Sequence, residues 1–375
     1  LDSKDPLRVF DHTRAGDAPG VVFMFPGGGA QYPGMGRDLY ETEPVFQEWM
    51  DRGLDHLAPK LDCDIRALWL APKDRLAEAQ AELKRPSLQL PLIMLVEYAL
   101  AQLWMSWGGR PAALVGHSMG ENTAACLAGV MSFEDCIDLV LLRGKLFDSV
   151  PAGGMLSIPM AAEDLKPLLD GDLDIAAVNG PELTAVSGPK AALADFRRRL
   201  AARDVECHEI AIDIAAHSRM LDPILADFRA ILSRITLHPP EIPFLSNRTG
   251  TFITDDQATD PEYWAGHLRH TVHFADCIAK LSEDPERVYL EVGPGKTLGT
   301  LARMNGNVSS NQVLGTLRHS DHAIADDIYF VGVIGRLSAV GVNVDWSQIW
   351  GAAKRLRVPL PTYVFQRSRY FIEPG

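Results

Sequence analysis

The stretch LVGHSMGEN, residues 114–122, contains the pattern Gly-x-Ser-x-Gly at Gly116, Ser118 and Gly120. An apolar run of strand length precedes the pattern, and a segment of small, helix-compatible residues follows it. A serine between a strand and a helix is typical of a nucleophile turn, which exposes the hydroxyl at a helix N-terminus. Free N–H groups at that position can stabilise an oxyanion. Because so short a pattern also arises by chance in a glycine-rich chain, the flanking strand and helix carry this prediction.

A second apolar run, Val21–Phe25, has the continuous hydrophobicity of a parallel strand that is covered on both faces. It ends in the loop PGGGAQ, residues 26–31, where the glycines allow backbone N–H groups to approach a ligand closely. No Gly-Lys-Ser or Gly-Lys-Thr follows, so the loop is not a P-loop. Three successive glycines exceed the needs of a plain strand-to-helix turn, which favours a binding role.

The pattern changes at residue 153, and this change predicts an inserted unit. Residues 153–210 have the order β-α-β-β-α-β, which is the ferredoxin-like signature. We therefore predict an α/β protein in which a small ferredoxin-like subdomain interrupts a larger α/β domain with a parallel sheet. The predicted divisions are a linker remnant at 1–20, the large domain at 21–148 and 214–317, the small subdomain at 149–213 and a C-terminal linker at 318–375.

The composition argues against several classes of function. The 375 residues carry a formal net charge of −13 and no block of Lys or Arg, which disfavours nucleic-acid binding. The five cysteines are scattered without C-x-x-C spacing, so we expect a reducing compartment with neither a disulfide framework nor a metal site. No uninterrupted apolar run reaches the roughly 18 residues of a membrane span. We expect a cytoplasmic protein, and the irregular N-terminus suggests a piece of a longer polypeptide.

A serine nucleophile needs a general base, and histidine is the first candidate. His217 follows the predicted return from the small subdomain, and clefts form at such junctions. His117 adjoins Ser118, and neighbouring side chains on a turn usually diverge, so it is a poorer base. The histidines of 267–273 lie in a predicted helical region, where packing or exposure explains them equally well. A structural role remains the alternative for each single histidine.

The sequence places no acidic residue clearly where it would orient His217. A Ser–His dyad is the simpler prediction, with a backbone carbonyl or a neutral side chain holding the imidazole. Asn247, in the turn-like segment SNRTG, is a possible neutral partner, and a plain turn residue is the alternative.

Arg143 lies inside an apolar helix, 25 residues after Ser118. An arginine buried in such a place needs an anion. One alternative is a structural ion pair with a nearby acid such as Glu97. The other is a bidentate clamp on a substrate carboxylate, which the planar guanidinium matches in shape.

Together, these segments resemble the acyltransferase domain of modular polyketide synthases, which is related to malonyl-CoA:acyl carrier protein transacylases. The resemblance runs from about Val21 to the end of the chain and implies an α/β-hydrolase-like large domain. The matching positions are the FPGQGxQ-like loop at Phe25–Gln31, the GHSxGE turn at Gly116–Glu121, the carboxylate-binding arginine at Arg143, the catalytic-histidine segment at Ala216–Ser218, and two further signatures at Glu291–Gly295 and Leu360–Gln366.

The resemblance implies a ping-pong mechanism in which His217 removes the Ser118 proton and Ser118 attacks an acyl-CoA thioester. The backbone N–H groups of Gly28 and Met119 would hold the oxyanion, and Arg143 would hold the free carboxylate of a malonyl-type unit. The implied acceptor is the phosphopantetheine thiol of an acyl carrier protein. No bound cofactor or metal is implied, and a ketosynthase is expected upstream in the same polypeptide.

Some positions depart from the family pattern. Gly28 replaces the glutamine of the loop, which leaves the backbone donor intact. Arg85 occupies a position near the substrate pocket where the family usually has Gln, and Gln31 is expected at the same pocket. His267 falls where Gln or Asn usually supplies a backbone carbonyl to the catalytic histidine, and a carbonyl contact tolerates the change.

The family's specificity tetrad is Ile214-Ala215-Ala216-His217 in this chain. Malonyl-selective members resemble His-Ala-Phe-His and methylmalonyl-selective members Tyr-Ala-Ser-His, so this sequence fits neither. Ala216 lacks the Phe ring that would exclude a branch at the α-carbon of the acyl unit. The space left by the ring has room for several methylenes, each of which contributes roughly 0.8 kcal/mol when it is buried. Met119 points weakly the other way, since methylmalonyl-selective members often have Gln there. We predict a roomy pocket for 2-substituted malonyl units; strict malonyl selectivity, a serine hydrolase of the thioesterase or lipase type, and a non-catalytic scaffold are the alternatives.

Overall fold

The computed structural model describes residues 18–210, 212–319, 322–350 and 359. The Leu360–Gln366 signature and residues 1–17 of the predicted linker remnant lie outside the described residues. In the described part, the strands are β1 (Val21–Phe25), β2 (Ala113–Gly116), β3 (Gly153–Ile158), β4 (Asp174–Gly180), β5 (Leu183–Pro189), β6 (His208–Ile210), β7 (Phe244–Leu245), β8 (Val288–Glu291) and β9 (Val313–Gly315).

Helices surround and connect these strands. They are α1 (Arg37–Thr42), α2 (Pro44–Leu57), α3 (Ile65–Trp69), α4 (Leu76–Glu82), α5 (Pro86–Ser106), α6 (Gly120–Leu127), α7 (Phe133–Ser149), α8 (Ala162–Leu165), α9 (Lys190–Ala201), α10 (Leu225–Leu232), α11 (Asp255–Ala258), α12 (Pro261–Arg269), α13 (Phe274–Leu281), α14 (Thr297–Met304), α15 (Asp326–Ala339) and α16 (Trp346–Trp350). Short 3-10 turns precede or follow several of them, including Arg219–Ile224 before α10.

Five strands form the parallel sheet of the large domain, in the order β7-β2-β1-β8-β9. Every residue of β1, β2 and β8 is buried, as continuous apolar runs predict for strands that are covered on both faces. The predicted α/β class is therefore confirmed. The sequence does not predict β9, because its buried side chains, Val313 and Leu314, make too short an apolar run.

Helix α5 is the central helix of the large domain and packs against α2, α6 and α7. By length and hydropathy it could cross a membrane, but most of it is buried inside the protein, as is usual for a core helix. Helix α7 approaches α5 closely at Gly144, where a Cβ would lie 2.5 Å from the carbonyl oxygen of Pro86. This close approach brings Arg143, the neighbouring residue of α7, into the interior.

Four antiparallel strands form the smaller sheet, in the order β4-β5-β3-β6. Helices α8 and α9 occupy the connections that the β-α-β-β-α-β pattern predicts, so the ferredoxin-like arrangement is confirmed. Its hydrophobic core includes Leu156, Val186 and Phe196 and is separate from the cores around the parallel sheet. We propose residues 149–213 as the extent of this subdomain because all four strands and both helices fall within them.

Gly144 offers a test of the packing between α5 and α7. The substitution Gly144→Ala should lower the free energy of unfolding by about 1–3 kcal/mol, because backbone atoms of Pro86 and Ser87 would have to move. Gly332→Ala is the matched control: it also lies in a helix, but nothing lies within 4 Å of its added Cβ. The control should gain roughly 0.5–1 kcal/mol. Equal denaturant midpoints for the two variants would contradict this account.

Candidate active site

The turn between β2 and α6 places Ser118 at the end of the parallel sheet. Ser118 has a φ of 54°, in the left-handed region, so the turn is sharp. A Cβ at Gly116 would lie 2.0 Å from the backbone nitrogen of Glu121, and one at Gly120 would lie 2.0 Å from the carbonyl oxygen of Phe25. The two glycines of the pattern are therefore required by the close approach of backbone to backbone.

Asn247 holds this turn in place. Its Oδ1 accepts the Ser118 N–H at 2.8 Å, and its Nδ2 donates to the Gly116 carbonyl at 2.7 Å. Glu121 in turn accepts the backbone N–H of Asn247 at 2.6 Å and the Tyr263 hydroxyl at 2.5 Å. The prediction that Asn247 orients the catalytic histidine is corrected, because both ends of its amide bind the backbone of the nucleophile turn.

His217 lies beside Ser118 and forms the predicted pair with it. The distance from Ser118 Oγ to His217 Nε2 is 2.7 Å, and His217 Nδ1 lies 3.0 Å from the carbonyl oxygen of His270. A carbonyl only accepts, so Nδ1 carries the proton and Nε2 is free to accept the proton of the serine. The sequence predicts that His267 supplies this carbonyl. The structure corrects this prediction, because the carbonyl belongs to His270.

His267 is buried against the site without orienting His217. Its Nε2 lies 3.5 Å from Glu121 Oε2, which is too long for a hydrogen bond, and its ring centre is 6.1 Å from that of His217. His117 turns away from the nucleophile, since its Nε2 lies 2.8 Å from Asn179 Oδ1 of β4. This divergence agrees with the expectation for adjacent side chains on a turn.

Burial and neighbouring charge hold the pKa of His217 well below its ordinary value of 6.5. Burial is the largest cause, and the positive charge of Arg143 is the next. The imidazole is therefore neutral at neutral pH, which is the form that accepts a proton. The sequence could not predict this electrostatic environment, because it depends on where Arg143 lies in space.

Arg143 also contacts the nucleophile. Its Nη2 donates to Ser118 Oγ at 2.9 Å, and its Nη1 donates to Asn122 Oδ1 at 3.1 Å. Its Nε has no hydrogen-bond partner among the described residues. Burial lowers the pKa of Arg143 to about 10, with Glu121 opposing the shift, so the guanidinium stays charged at neutral pH.

The structure does not show the alternative ion pair of Arg143 with Glu97. Glu97 instead accepts a hydrogen bond from the Thr123 hydroxyl at 2.6 Å, and burial raises the pKa of Glu97 well above its ordinary value. In the described part of the chain, the guanidinium has polar neighbours but no carboxylate partner at ion-pair distance. A buried cation with no carboxylate in direct contact is costly, which points to an anion that is supplied from outside.

The glycine loop after β1 and the start of α6 both lie beside Ser118. Gly28 lines the same cavity as Ser118, and Gly27 is so close that a Cβ there would lie 2.8 Å from the His117 carbonyl. Met119 precedes the first residue of α6, so its N–H has no partner within the helix. The backbone N–H groups of Gly28 and Met119 stay the predicted donors for an oxyanion on an acyl group bound to Ser118.

A cavity of about 280 Å³ opens beside Ser118 and His217. Its lining is mostly apolar and comes from the loop at 26–30, from the small subdomain and from α14. The lining residues from the small subdomain and its return segment are Met155, Ala177, Asn179, Ala185, Ile210 and Ile212, and those from α14 are Thr297, Leu298 and Leu301. The sequence does not single out the apolar residues of this lining, because they look like ordinary core residues.

Of the predicted pocket residues, only Ala216 lines this cavity. Ile214 packs into the core of the large domain, and Ala215 is buried beside it. The Gln31 side chain braces the glycine loop, accepting one backbone N–H at 3.1 Å and donating to a carbonyl at 3.2 Å. Arg85 forms an exposed ion pair with an aspartate at 2.6 Å. The structure therefore corrects the pocket positions of Ile214, Ala215, Gln31 and Arg85.

Comparison with known protein families identifies the family to which this fold belongs. A family model described as an acyl transferase domain matches residues 22–342. The chain belongs to this acyltransferase family. Within the described residues, the acyltransferase has no group of three or more His, Cys, Asp or Glu side chains that could hold a metal ion.

Individual relatives of the acyltransferase include polyketide synthases. It is 35% identical over 356 residues to a phenolphthiocerol/phthiocerol polyketide synthase protein of Mycobacterium tuberculosis, covering 95% of this chain and 24% of that protein. The acyl transferase domain of ZmaA matches with a TM-score of 0.87 at 37% identity, covering 92% of this chain and 80% of that one. The acyl transferase domain of SpnD, solved in complex with 2-(pent-4-yn-1-yl)malonyl, matches with a TM-score of 0.81 at 38% identity. The match covers 87% of this chain and 78% of the SpnD chain. The acyltransferase thus spans about a quarter of the mycobacterial relative.

The lowered pKa of His217 predicts the pH dependence of Ser118 acylation. Because only the neutral imidazole accepts a proton, the rate should stay level through the range in which an ordinary histidine titrates. It should fall only at lower pH, as the pH passes through the depressed pKa of His217. Single-turnover acylation rates across pH provide the measurement, with circular dichroism at each pH as a control for unfolding. A midpoint at or above 6.5 would contradict the electrostatic account.

Proposed function

We propose that the acyltransferase loads a carboxyacyl unit of the malonyl type from CoA onto Ser118. It then passes the unit to the phosphopantetheine thiol of an acyl carrier protein in polyketide biosynthesis. The observation that carries this proposal is the contact between the nucleophile and a buried guanidinium that has no carboxylate partner among the described residues, with Arg143 Nη2 2.9 Å from Ser118 Oγ. A cation in this place is suited to an acyl group that carries its own carboxylate.

The geometry supports the following steps. His217 Nε2 takes the proton of Ser118 as Oγ attacks the thioester carbonyl, and the N–H groups of Gly28 and Met119 stabilise the oxyanion. When the C–S bond breaks, the proton on His217 passes to the leaving thiolate of CoA. The carrier thiol then attacks the acyl-serine with His217 again as the base, and the proton returns to Ser118 Oγ. No cofactor takes part in these steps.

A serine hydrolase of neutral esters is the alternative of a different class. The serine and histidine do not separate the hydrolase from the acyltransferase, because both classes use them. The His270 carbonyl at His217, where many hydrolases have a carboxylate, does not separate the classes either. Arg143 does separate them, since a neutral acyl group gives a buried cation nothing to bind. We therefore favour transfer of carboxylated units over hydrolysis of neutral ones.

The cavity supports a specificity for 2-substituted malonyl units. Ala216 is a small side chain in its wall, and the neighbouring wall is apolar, formed by Ala177, Ile212 and Leu298 among others. An apolar wall of this kind favours burial of an alkyl substituent over exposure of it to water. The related SpnD domain was solved with a 2-substituted malonyl, which supports the same direction for this chain.

The partners follow from the proposed reaction. An acyl-CoA thioester is the donor, an acyl carrier protein is the acceptor, and a ketosynthase is expected upstream in the same polypeptide. Since the chain spans only part of its relatives, these partners are proposed for the larger protein. A cytoplasmic location remains our prediction, with which the buried position of α5 is compatible.

Replacing Arg143 should change which acyl groups are loaded. In Arg143→Ala, malonyl loading from CoA should fall by about 100-fold, because two charge-assisted hydrogen bonds to the carboxylate are lost. Loading of acetyl, which has no carboxylate, should change by less than about threefold. Intact-mass spectrometry of the acyl-enzyme under single turnover measures both rates.

The control for this test is Arg143→Lys, which keeps the positive charge but loses the planar fork. Its malonyl loading should lie between those of the wild type and the alanine variant. An equal loss of malonyl and acetyl loading in Arg143→Ala would mean that the arginine supports the site without recognising the carboxylate.

A mixture of malonyl-, methylmalonyl- and longer alkylmalonyl-CoA should reveal the roomy pocket. The wild type should load the substituted units, and Ala216→Phe should shift loading towards malonyl by at least about tenfold, since the ring would fill space beside the α-carbon. Because malonyl loading by the same variant reports on its integrity, the ratio is its own control. Wild-type protein that loads malonyl alone would overturn the proposed specificity.

A further inference from the structure

Strand β4 of the small subdomain contacts the three chain segments that build the Ser–His pair. Its far end contacts the nucleophile turn, because Asn179 Oδ1 lies 2.8 Å from His117 Nε2. Its middle contacts the segment after His270, which supplies the carbonyl for His217. Its beginning contacts the segment after His217 itself. One strand of the inserted subdomain thus contacts all three chain segments that carry or orient the Ser–His pair.

The middle of β4 is joined to the segment 271–272 by backbone hydrogen bonds. The Val272 N–H donates to the Ala176 carbonyl at 2.9 Å, and the Val178 N–H donates to the Val272 carbonyl at 2.8 Å. The Thr271 hydroxyl also donates to a carbonyl of the strand at 2.7 Å. These bonds fix the residues that directly follow His270 and so fix its carbonyl in front of His217 Nδ1.

The beginning of β4 is joined to the histidine segment by Asp174 and Arg219. Arg219 Nε donates to Asp174 Oδ2 at 3.0 Å, and Nη2 donates to Oδ1 at 2.8 Å, so the pair is bidentate. The backbone N–H of Arg219 also donates to Asp174 Oδ2, at 2.8 Å, and Nη1 donates to the Gly171 carbonyl. Arg219 lies two residues after His217, whose φ of 56° is left-handed and needs its surroundings to hold it.

This pair differs from the other ion pairs of the small subdomain. The Asp174 side chain is only 16% exposed and accepts three hydrogen bonds from one residue, one of them from the backbone. Burial raises the pKa of Asp174, but the bonds from Arg219 outweigh it and hold that pKa below its ordinary value, so the group is ionised. By contrast, Arg197–Glu209 is a single contact with both side chains more than half exposed, and such pairs contribute little.

We infer that Asp174, acting through Arg219, is a positioning residue for the general base His217. The pair ties the left-handed histidine segment to the same strand that fixes the His270 carbonyl, so the imidazole is held from both sides by β4. The inserted subdomain then sets the direction of Nε2 towards Ser118, in addition to lining the cavity through Ala177 and Asn179. The inference rests on the proposed function, because it assigns a role within that reaction.

The test replaces Asp174 by Asn, which keeps the shape of the side chain and removes its charge. Single-turnover malonyl loading of Asp174→Asn should fall by about tenfold with KM within about twofold, because a small displacement of a catalytic group costs rate rather than binding. Glu209→Gln is the matched control, since it breaks an exposed pair in the same sheet and should leave the rate unchanged. The measurements are made at a temperature at which circular dichroism shows all variants folded.

A second readout separates positioning from general destabilisation. The His270 carbonyl raises the pKa of His217, so loosening that contact should move the pH midpoint of acylation in Asp174→Asn to lower pH. Arg219→Lys keeps the positive charge but loses the planar guanidinium, so its acylation rate should lie between those of Asp174→Asn and the wild type. An unchanged rate, a loss confined to KM, or a rate loss with an unmoved midpoint would each overturn the inference.

Modification of Ser118 by phenylmethanesulfonyl fluoride keeps the two proposals distinguishable. This reagent needs an activated serine but neither CoA nor a carboxylate. If the wild type reacts with it but loads no carboxyacyl unit, the proposed function fails, while slower modification of Asp174→Asn than of Glu209→Gln still supports the positioning role. If the wild type loads malonyl, and Asp174→Asn is as fast as the wild type in both malonyl loading and sulfonyl fluoride modification, the positioning role fails while the proposed function stands.

Discussion

The oxygen of Ser118 is held between two nitrogen atoms, with His217 Nε2 at 2.7 Å and Arg143 Nη2 at 2.9 Å. The two contacts have different chemical meanings, because the neutral imidazole removes a proton while the guanidinium offers charge. Burial affects both groups: it lowers the pKa of the histidine, and it makes the charge of the arginine costly. In the described part of the chain, no carboxylate lies at ion-pair distance from the guanidinium. A carboxylated acyl group satisfies both, since its carbonyl meets the nucleophile and its carboxylate meets the cation.

Much of the surrounding structure serves to keep these three groups in place. The sharp turn at Ser118 depends on two glycines that allow backbone contact, and Asn247 fixes it with hydrogen bonds on both sides. Gly144 lets α7 come close enough to α5 for Arg143 to reach the interior. The small subdomain supplies one wall of the cavity, and its strand β4 supports the histidine from the other side.

The sequence predicts those features that depend on residue type at a fixed spacing. The serine turn, the parallel sheet and the ferredoxin-like insertion follow from glycines, apolar runs and element order. The sequence predicts a backbone carbonyl as one possible partner of His217, but it could not show that His270 supplies it, because any residue can supply a backbone carbonyl. Asn247 is expected at the histidine but lies at the nucleophile turn, since a side chain near two segments can bond to either. Apart from Ala216, the cavity wall also escapes prediction, because its apolar side chains do not differ from core residues.

The most direct test of the account is to locate the acyl group after incubation with malonyl-CoA. Proteolysis and mass spectrometry of the trapped acyl-enzyme should find the malonyl mass on the peptide that contains Ser118, and Ser118→Ala should carry none. A malonyl adduct on another residue, or one that persists in Ser118→Ala, would contradict the central claim.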